Sequence, residues 1–152
     1  MDLTDAPACG IADERLTAMG LLLEAHARLV RVLGAELERE CGIPLLWYEV
    51  LLRIGRSDQG RKTMSELARE VSLTSGGLTR LADRIEAAGY VRRSACPSDR
   101  RVSWLCLTEA GRAKLDEATA VHVRGVDEHL TGRMSDDERA TLVAVLDRLR
   151  RP

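Results

Sequence analysis

A cluster of small hydroxyl residues, glycines and arginines lies between residues 74 and 84, at the predicted start of a helix. Hydroxyl groups donate and accept hydrogen bonds, and backbone amides at a helix start attract phosphate oxygens. A guanidinium can donate two parallel hydrogen bonds to the edge of a guanine or pair with a phosphate. These residue types in this order predict a surface that reads nucleic acid. The cluster consists of Thr74, Ser75, Gly76, Gly77, Thr79, Arg80 and Arg84.

Two features of this cluster leave alternatives open. Each glycine in a helix costs roughly 0.5–1 kcal/mol relative to alanine. The Gly76-Gly77 pair is therefore explained either by close approach of the backbone to DNA or by a helix that simply begins one residue later. Arg84 lies about one turn further along the helix than Arg80. We expect Arg80 to read a base and Arg84 to meet phosphate.

Two predicted helices and a tight turn hold this cluster in place. Thr63, with a glutamate three residues later, has the spacing of a reciprocal capping box at the start of a short helix. A turn at residues 72–73 leads to a longer helix, which Thr74 or Ser75 caps and Gly89 ends. The apolar residues of both helices repeat at helical spacing. The pattern predicts a helix-turn-helix.

A basic β-hairpin is predicted directly after the second helix. Residues 90–95 and 102–107 are short extended runs, and the segment between them contains Pro, Ser and Asp, which favour turns. A helix-turn-helix followed by a basic hairpin is a winged helix. In such a fold the second helix enters a major groove, and the hairpin reaches the neighbouring backbone or minor groove.

The arginines of the hairpin are candidate DNA contacts. Arg92 and Arg93 alternate along a strand, so we expect one of them to face phosphate and the other to face the protein. Arg100 and Arg101 flank the tip, and either of them suits a narrow, electronegative minor groove.

The sequence resembles the signature of the multiple-antibiotic-resistance regulator (MarR) family. The resemblance rests on GYVRR at residues 89–93, on Asp and Arg at the ends of 99–101, on LT at 107–108, and on TRLADRIE at 79–86, which is similar to the family's recognition helix. It covers most of the chain. It implies a homodimeric transcription factor, usually a repressor, that binds a pseudo-palindromic operator in double-stranded DNA. A small ligand or an oxidant would release it from that site.

The resemblance also implies roles for residues around the cluster. In the family pattern, Asp99 and Arg101 help to hold the hairpin and its basic tip against DNA. The predicted DNA-contacting set therefore extends beyond the helix-turn-helix cluster to Thr63, Arg92, Asp99, Arg100 and Arg101.

The chain is expected to form one MarR-type domain over residues 1–152, mainly α with a small β-hairpin wing. Long helices over 13–40 and 109–150 would flank a winged helix-turn-helix over 44–108. Apolar residues recur every seven positions from Leu16 onward, in a stripe wider than one neighbouring helix covers. We therefore expect the terminal helices to form a homodimer interface. A purely intramolecular core helix is the alternative.

The charge distribution agrees with a nucleic-acid partner although the net charge of the 152-residue chain is −1. Ten basic and six acidic residues lie between Arg56 and Ser103, so this segment is positive and the remainder is negative. A basic face on an acidic body is the distribution expected when only one face meets DNA.

Several other classes of protein are disfavoured. The four cysteines show no C-x-x-C spacing, and no apolar run approaches the roughly 18 residues of a membrane span. We expect a soluble, cytoplasmic protein that does not bind a membrane. No catalytic motif, cofactor site or metal site is predicted, and His122 and His129 are expected to lie on the surface.

An effector pocket is implied by the resemblance, between the dimer helices and the winged domain. Arg15, His26, Trp47 and Tyr48 would suit a small aromatic or phenolic effector. The alternative is a buried histidine and two core rings. Cys9, near the first helix, resembles the reactive cysteine of the family's peroxide-sensing branch, which makes a redox-sensing repressor of the same fold an alternative function. Other rivals are a winged-helix protein-interaction module and an enzyme regulated through the same pocket.

Overall fold

The computed structural model of the chain describes residues 13–95 and 102–151. Six α-helices, three short β-strands and one turn of 3₁₀-helix (Thr131–Arg133) occur in these ranges. Four of the predicted site residues lie outside the described residues: Cys9, Asp99, Arg100 and Arg101. The elements in chain order are α1 (Glu14–Cys41), α2 (Leu45–Gly55), β1 (Arg61–Thr63), α3 (Met64–Glu70), α4 (Ser75–Ala87), β2 (Val91–Ala95), β3 (Ser103–Leu107), α5 (Glu109–His129) and α6 (Asp136–Leu149).

Local capping residues begin the helices of the winged domain where the sequence predicts them. Thr63 and Glu66 form a reciprocal capping box at α3, in which the Thr63 amide donates to Glu66 Oε2 at 2.9 Å. Thr74, rather than Ser75, caps α4 by accepting from the Gly77 amide at 3.1 Å. Gly89 follows α4 with φ of 82°, a left-handed conformation that glycine adopts without steric cost.

The β-sheet contains one more strand than the sequence predicts. Its order is β1-β3-β2, and β3 pairs antiparallel with both neighbours, placing Lys62 opposite Leu105. Only the two hairpin strands, over residues 90–95 and 102–107, are predicted from the sequence, so β1 was missed. A strand of three residues is too short for a recognisable alternation, and its conformation depends on pairing with β3, more than 40 positions away in the sequence.

The core of the winged domain lies beneath the helix-turn-helix. The apolar face of α4 packs against α3 and β2 and belongs to one core cluster with buried residues of α2 and β3. Complete burial of one large apolar side chain contributes about 1.5–3 kcal/mol. The buried side chains from these elements are Leu51, Ile54, Leu67, Leu78, Leu81, Ala82, Ile85 and Leu105. This core determines which face of α4 points outward.

The start of α5 is fastened to the end of α4 at Thr108. Its hydroxyl donates to the Gly89 carbonyl at 2.6 Å and accepts from the Gly111 amide at 2.9 Å. A Cβ at position 111 would overlap the Tyr90 carbonyl oxygen, so this close approach requires glycine. Helix α5 is thereby attached to the hairpin that follows α4.

The terminal helices leave large apolar side chains in solvent. The C-terminal half of α1 packs within the chain through Leu33 and Leu37, whereas α6 has no buried residue. None of the described helices combines the length and apolar character needed to cross a membrane. The exposed apolar side chains are Leu16, Met19, Leu21, Leu22, Leu23, Val30, Val123, Val143, Leu146 and Leu149.

Candidate nucleic-acid interface and effector cavity

The outward face of α4 presents most of the predicted DNA-reading cluster. Leu78, Leu81, Ala82 and Ile85 point into the core, so the residues between them are turned to solvent. Gly77 is only partly exposed. The exposed members are Thr74, Ser75, Gly76, Thr79, Arg80 and Arg84.

The two glycines of α4 have different structural surroundings. Both lie within the helix, which begins at Ser75. A Cβ at Gly77 would lie 3.1 Å from the Thr74 hydroxyl oxygen, so the capping interaction accounts for this glycine. A Cβ at Gly76 would meet no atom within 4 Å. Within the described residues, nothing inside the protein requires glycine at position 76.

The polar side chains of α4 differ in whether they already form hydrogen bonds or ion pairs with the described residues. The Thr79 hydroxyl donates to the Ser75 carbonyl at 2.9 Å, and its oxygen retains lone pairs that can accept a hydrogen bond. Arg80 and Arg84 form no ion pair with any carboxylate of residues 13–95 and 102–151. Their guanidinium groups are therefore available to an external anion or base edge. The Thr63 hydroxyl, by contrast, donates to Glu66 Oε2 at 2.8 Å and maintains the cap of α3.

Arg93 connects the hairpin to the recognition helix. Its guanidinium pairs with Asp83 Oδ1 at 2.6 Å and with the Glu86 carboxylate, and it reaches the Thr79 carbonyl at 3.4 Å. The Arg93 amide also donates to Glu86 Oε1 at 2.8 Å. Of the two adjacent arginines, Arg93 thus faces the protein. Asp83 and Glu86 were not identified from the sequence, because their partner lies on another element.

Arg92 extends from the opposite face of β2 and is exposed. Its partner on β3 is Cys106, which on its other side pairs with Arg61 of β1. The Arg61 guanidinium lies 4.5 Å from the centre of the Trp104 ring, a cation–π contact that sequence reasoning missed. The base of the hairpin therefore presents two arginines, with Arg61 held against an aromatic ring.

A cavity of about 510 Å³ lies between α2, α5, the end of α6 and the β1–α3 segment. Tyr48 and His122 contribute aromatic surface, with ring centroids 4.7 Å apart. Four cationic side chains face two carboxylates, one of which is already occupied because Glu70 pairs with Lys62 at 2.6 Å. The lining residues are Tyr48, Glu49, Leu52, Arg53, Arg56, Lys62, Glu70, His122 and Arg150.

Two buried polar atoms of this cavity have no hydrogen-bond partner among the described residues. They are Arg53 Nε, which is always a donor, and His122 Nδ1. Burial holds the pKa of His122 below its ordinary value, and the nearby Glu36 carboxylate opposes this shift. His122 was expected on the surface, and that prediction was wrong because α5 turns this residue toward Tyr48. The cavity can satisfy the acceptor oxygens of an anionic molecule.

The structure does not bring the four predicted effector residues together within one chain. Tyr48 lines the cavity, but Trp47 points to the other side of α2 and meets the Tyr90 ring edge-on at 6.4 Å. His26 is exposed on α1. Arg15 pairs with Asp13 at 2.5 Å, at the far end of a helix that rises about 1.5 Å per residue. The resemblance implies a pocket between the helices but does not determine which of their side chains face one another.

Cys41, one of two cysteines in the described residues, does not resemble an activated thiol. Cys41 is buried in the core, and burial raises the pKa of its thiol. Cys106 is partly exposed on β3. A reactive thiol needs a lowered pKa and solvent access, and neither feature is present at Cys41. Cys9, the predicted redox residue, lies outside the described residues.

The outward cluster on α4, the hairpin beside it and the supporting three-stranded sheet define a winged helix-turn-helix DNA-binding protein. A model of the MarR family matches residues 41–102. The HTH-type transcriptional regulator YdgJ of Bacillus subtilis is 30% identical over 120 residues, which cover 79% of this chain and 71% of YdgJ. The chain belongs to the MarR family, as its sequence motifs predict.

Solved structures support the same assignment. Sco3205, a MarR family transcriptional regulator from Streptomyces coelicolor in complex with DNA, is similar with a TM-score of 0.83 and 28% identity, over 90% of this chain and 89% of that chain. A mutant of Escherichia coli MarR complexed with operator DNA gives a TM-score of 0.79 and 26% identity, over 93% and 99% of the two chains. In sequence, the match to MarR is 32% identical and spans 60% of that protein. The predicted fold class is confirmed.

Proposed function

We propose that this protein is a cytoplasmic, homodimeric repressor that binds a pseudo-palindromic operator and is released by a small aromatic or phenolic effector. The observation that carries the proposal is the outward face of α4, where Arg80 and Arg84 lack carboxylate partners in the described part of the chain. Two similar proteins of the family have structures with DNA. Exposed apolar side chains on α1, α5 and α6 support a second copy as the partner.

In this proposal α4 enters the major groove with its N-terminal turns toward the bases. Thr79 and Arg80 read base edges, whereas Arg84 contacts phosphate. Two copies place their recognition helices about 34–36 Å apart, the repeat of B-DNA, so that they enter successive major grooves. The hairpin, including Arg92 and the predicted contacts Asp99, Arg100 and Arg101, follows the adjacent backbone and minor groove.

The effector would occupy the cavity that Tyr48 and His122 line. This cavity lies between α2 and α5 on one side and β1 and α3 on the other. A bound molecule can therefore alter the angle between α5 and the helix-turn-helix formed by α3 and α4. A ligand shifts the protein off DNA only through its higher affinity for the released form. Arg53 Nε and His122 Nδ1 would pair with the carboxylate or phenolate oxygen, and the Tyr48 ring would contact the aromatic ring.

Substitution of the two arginines of α4 tests the DNA-binding proposal. Arg80→Ala should lose about 1–3 kcal/mol of operator binding and relax the preference at one base position in each half-site. Arg84→Ala should weaken operator and random DNA alike and reduce the salt slope by roughly one unit. Both can be measured by fluorescence anisotropy over a range of salt concentrations. Equal losses on operator and random DNA for Arg80→Ala would show that Arg80 does not read a base, and a loss confined to the operator for Arg84→Ala would assign base reading to Arg84.

The salt dependence also separates DNA binding from the rival function of a protein-interaction module. Neutralising several phosphates makes affinity fall steeply with salt concentration. Operator fragments can be obtained by sequencing the genomic DNA that the purified protein retains. If no DNA is retained above the level of a variant lacking both Arg80 and Arg84, the DNA-binding proposal is wrong.

The effector proposal is tested with a panel of benzoates and phenols, monitored by tryptophan fluorescence and by operator release. Arg53→Gln removes a charged donor of the cavity, and His26→Gln alters an exposed histidine that does not line it. Loss of ligand response in Arg53→Gln alone supports the cavity. Loss in His26→Gln alone would instead support the pocket predicted from the sequence, with His26 completed by the second copy.

A further inference from the structure

A cluster of potential metal ligands lies where α1 crosses the last turn of α5. It consists of Glu36 on α1 and of Glu128 and His129 on α5, and one ligand atom from each residue lies within 4.8 Å of the other two. His129 Nε2 is 2.7 Å from Glu36 Oε1. None of the three residues lines the effector cavity or belongs to the outward face of α4. The histidine was expected on the surface, and that prediction was wrong.

The packing of the two helices holds Glu36 and His129 in position. Their side chains are 17% and 12% exposed, whereas Glu128 is exposed. Gly125, one turn before His129, makes the crossing close: a Cβ there would overlap Glu36 Oε2 and lie 2.8 Å from Leu33 Cδ2. The Glu36 carboxylate therefore occupies the space above a glycine. The backbone of α5 therefore restricts the rotamers that the Glu36 side chain can adopt.

The orientation of the His129 ring selects one nitrogen for an ion. Nδ1 is buried and makes no hydrogen bond within the described residues, while Nε2 faces the carboxylate. One imidazole nitrogen and carboxylate oxygens form a donor set that suits Zn²⁺ and other late divalent transition metals. Ligand bonds of about 2.0–2.1 Å place two tetrahedral ligands about 3.3 Å apart. A small opening of the His129–Glu36 pair would admit the ion between them.

We propose that Glu36, Glu128 and His129 form a binding site for a divalent transition metal, with Zn²⁺ as the best match, and that solvent completes its coordination. The ion would take the place of the proton in the hydrogen bond between His129 and Glu36. It would connect the C-terminal part of α1 to the C-terminal turn of α5. This role goes beyond the proposed DNA-binding function and does not depend on it, since the ion would link α1 to α5.

The experiment uses the full-length protein after treatment with a chelator. Calorimetric titration with Zn²⁺ should give one ion per chain, and the midpoint of thermal unfolding should rise on loading, because a ligand that binds only the folded state stabilises it. Titration with Co²⁺ should produce visible absorption bands of a nitrogen- and oxygen-ligated ion. No saturable binding, or a thiolate-to-metal absorption band indicating cysteine ligands, would overturn the proposal.

Matched variants locate the bound ion. Glu36→Gln and His129→Gln should each weaken binding at least about tenfold, the loss that even a residue supporting a ligand produces. Glu38→Gln, an exposed change on the same helix, should bind as the wild type does. Binding that survives both Glu36→Gln and His129→Gln would place the ion elsewhere.

A third variant covers the case in which the partly buried substitutions fail to fold. Glu128 is exposed, so Glu128→Gln should retain the helical circular dichroism spectrum. It removes one of three ligands and should also weaken Zn²⁺ binding at least about tenfold. Wild-type affinity in a folded Glu128→Gln protein would exclude the three-residue site.

Discussion

At the scale of the residue, Gly76 is conspicuous because the described part of the protein supplies no reason for it. Its neighbour Gly77 is explained by the tight contact with the Thr74 cap, but a methyl group at 76 would meet open space. A glycine that weakens a helix without an internal cause is consistent with a requirement from outside the protein. Close approach of the α4 backbone to DNA is such a requirement.

Gly76→Ala should therefore separate stability from DNA binding. We expect the free energy of unfolding to increase by roughly 0.5–1 kcal/mol, because alanine favours the helix, while operator affinity falls. Urea unfolding and fluorescence anisotropy measure the two quantities. Gly77→Ala is the matched control and should lack the gain in stability, because its methyl group would press on the Thr74 hydroxyl. Unchanged operator affinity in Gly76→Ala would contradict the explanation.

We expect His122 to contribute to the pH dependence of the free energy of unfolding. Burial beside Tyr48 lowers its pKa in the folded protein, and the nearby Glu36 carboxylate partly offsets this. In the unfolded chain the imidazole has a pKa of about 6.5. As the pH falls below that value the unfolded state takes up more protons than the folded state, so the free energy of unfolding decreases.

His122→Gln should reduce this loss of stability between about pH 6.5 and pH 5, because the group that titrates has been removed. Urea unfolding at a series of pH values gives the slope. His26→Gln changes an exposed histidine and serves as the control. Identical slopes in the wild type and His122→Gln would show that His122 protonates equally in both states.

At the scale of the element, the recognition helix and the hairpin are coupled through Arg93. This side chain contacts three positions of α4, at Thr79, Asp83 and Glu86. Exposed ion pairs contribute only about 0–1 kcal/mol each to stability. The main effect of this set is therefore expected on geometry: it holds α4 at one angle to β2 and hence to the wing.

Arg93→Gln should weaken operator binding while destabilising the fold by only about 1 kcal/mol. Since Arg93 faces the protein, the salt slope of binding should stay unchanged, whereas loss of a direct phosphate contact would lower it by about one unit. Anisotropy measured over a range of salt concentrations distinguishes the two cases. Arg92→Gln, the exposed neighbour on the same strand, is the comparison and should lower the slope.

At the scale of the whole molecule, the distribution of apolar surface divides α1 in two. Its C-terminal half is buried against α2 and α5, whereas Leu16, Leu22 and Leu23 of its N-terminal half are 57%, 46% and 57% exposed. The C-terminal helix α6 has no buried side chain, although Leu146 and Leu149 repeat on one side. Large exposed apolar patches commonly mark interfaces, so we expect these side chains to be covered by a partner. An apolar depression beside α6 is lined by Met134, Leu142 and Val145.

A second copy should cover this surface. Light scattering at micromolar concentration is expected to give about twice the chain mass of 16.8 kDa. Leu23→Glu combined with Leu146→Glu should shift the mass toward the monomer, because two charges would be buried without partners. Ala87→Glu, on the exposed end of α4, should leave the oligomeric state unchanged. A folded wild-type monomer at these concentrations would refute the dimer.

The sequence by itself determined the features that depend on neighbours a few positions away. The capping box at Thr63, the cap at Thr74, the glycine stop at Gly89 and the helical repeat of Leu78, Leu81 and Ile85 are local, and each element lies where these signals predict. The family motif has the same character, since its residues lie on one continuous stretch.

Only the tertiary structure decided which distant residues meet. The pairing of β1 with β3, the contact of Arg93 with Asp83 and Glu86, and the cavity around Tyr48 all join separate elements. The contact of Glu36 with His129 spans 93 positions of sequence. Such pairs leave no periodic signal, because their geometry follows from how the helices cross. For that reason the outward face of α4 could be predicted, whereas the residues of the cavity and of the α1–α5 cluster could not.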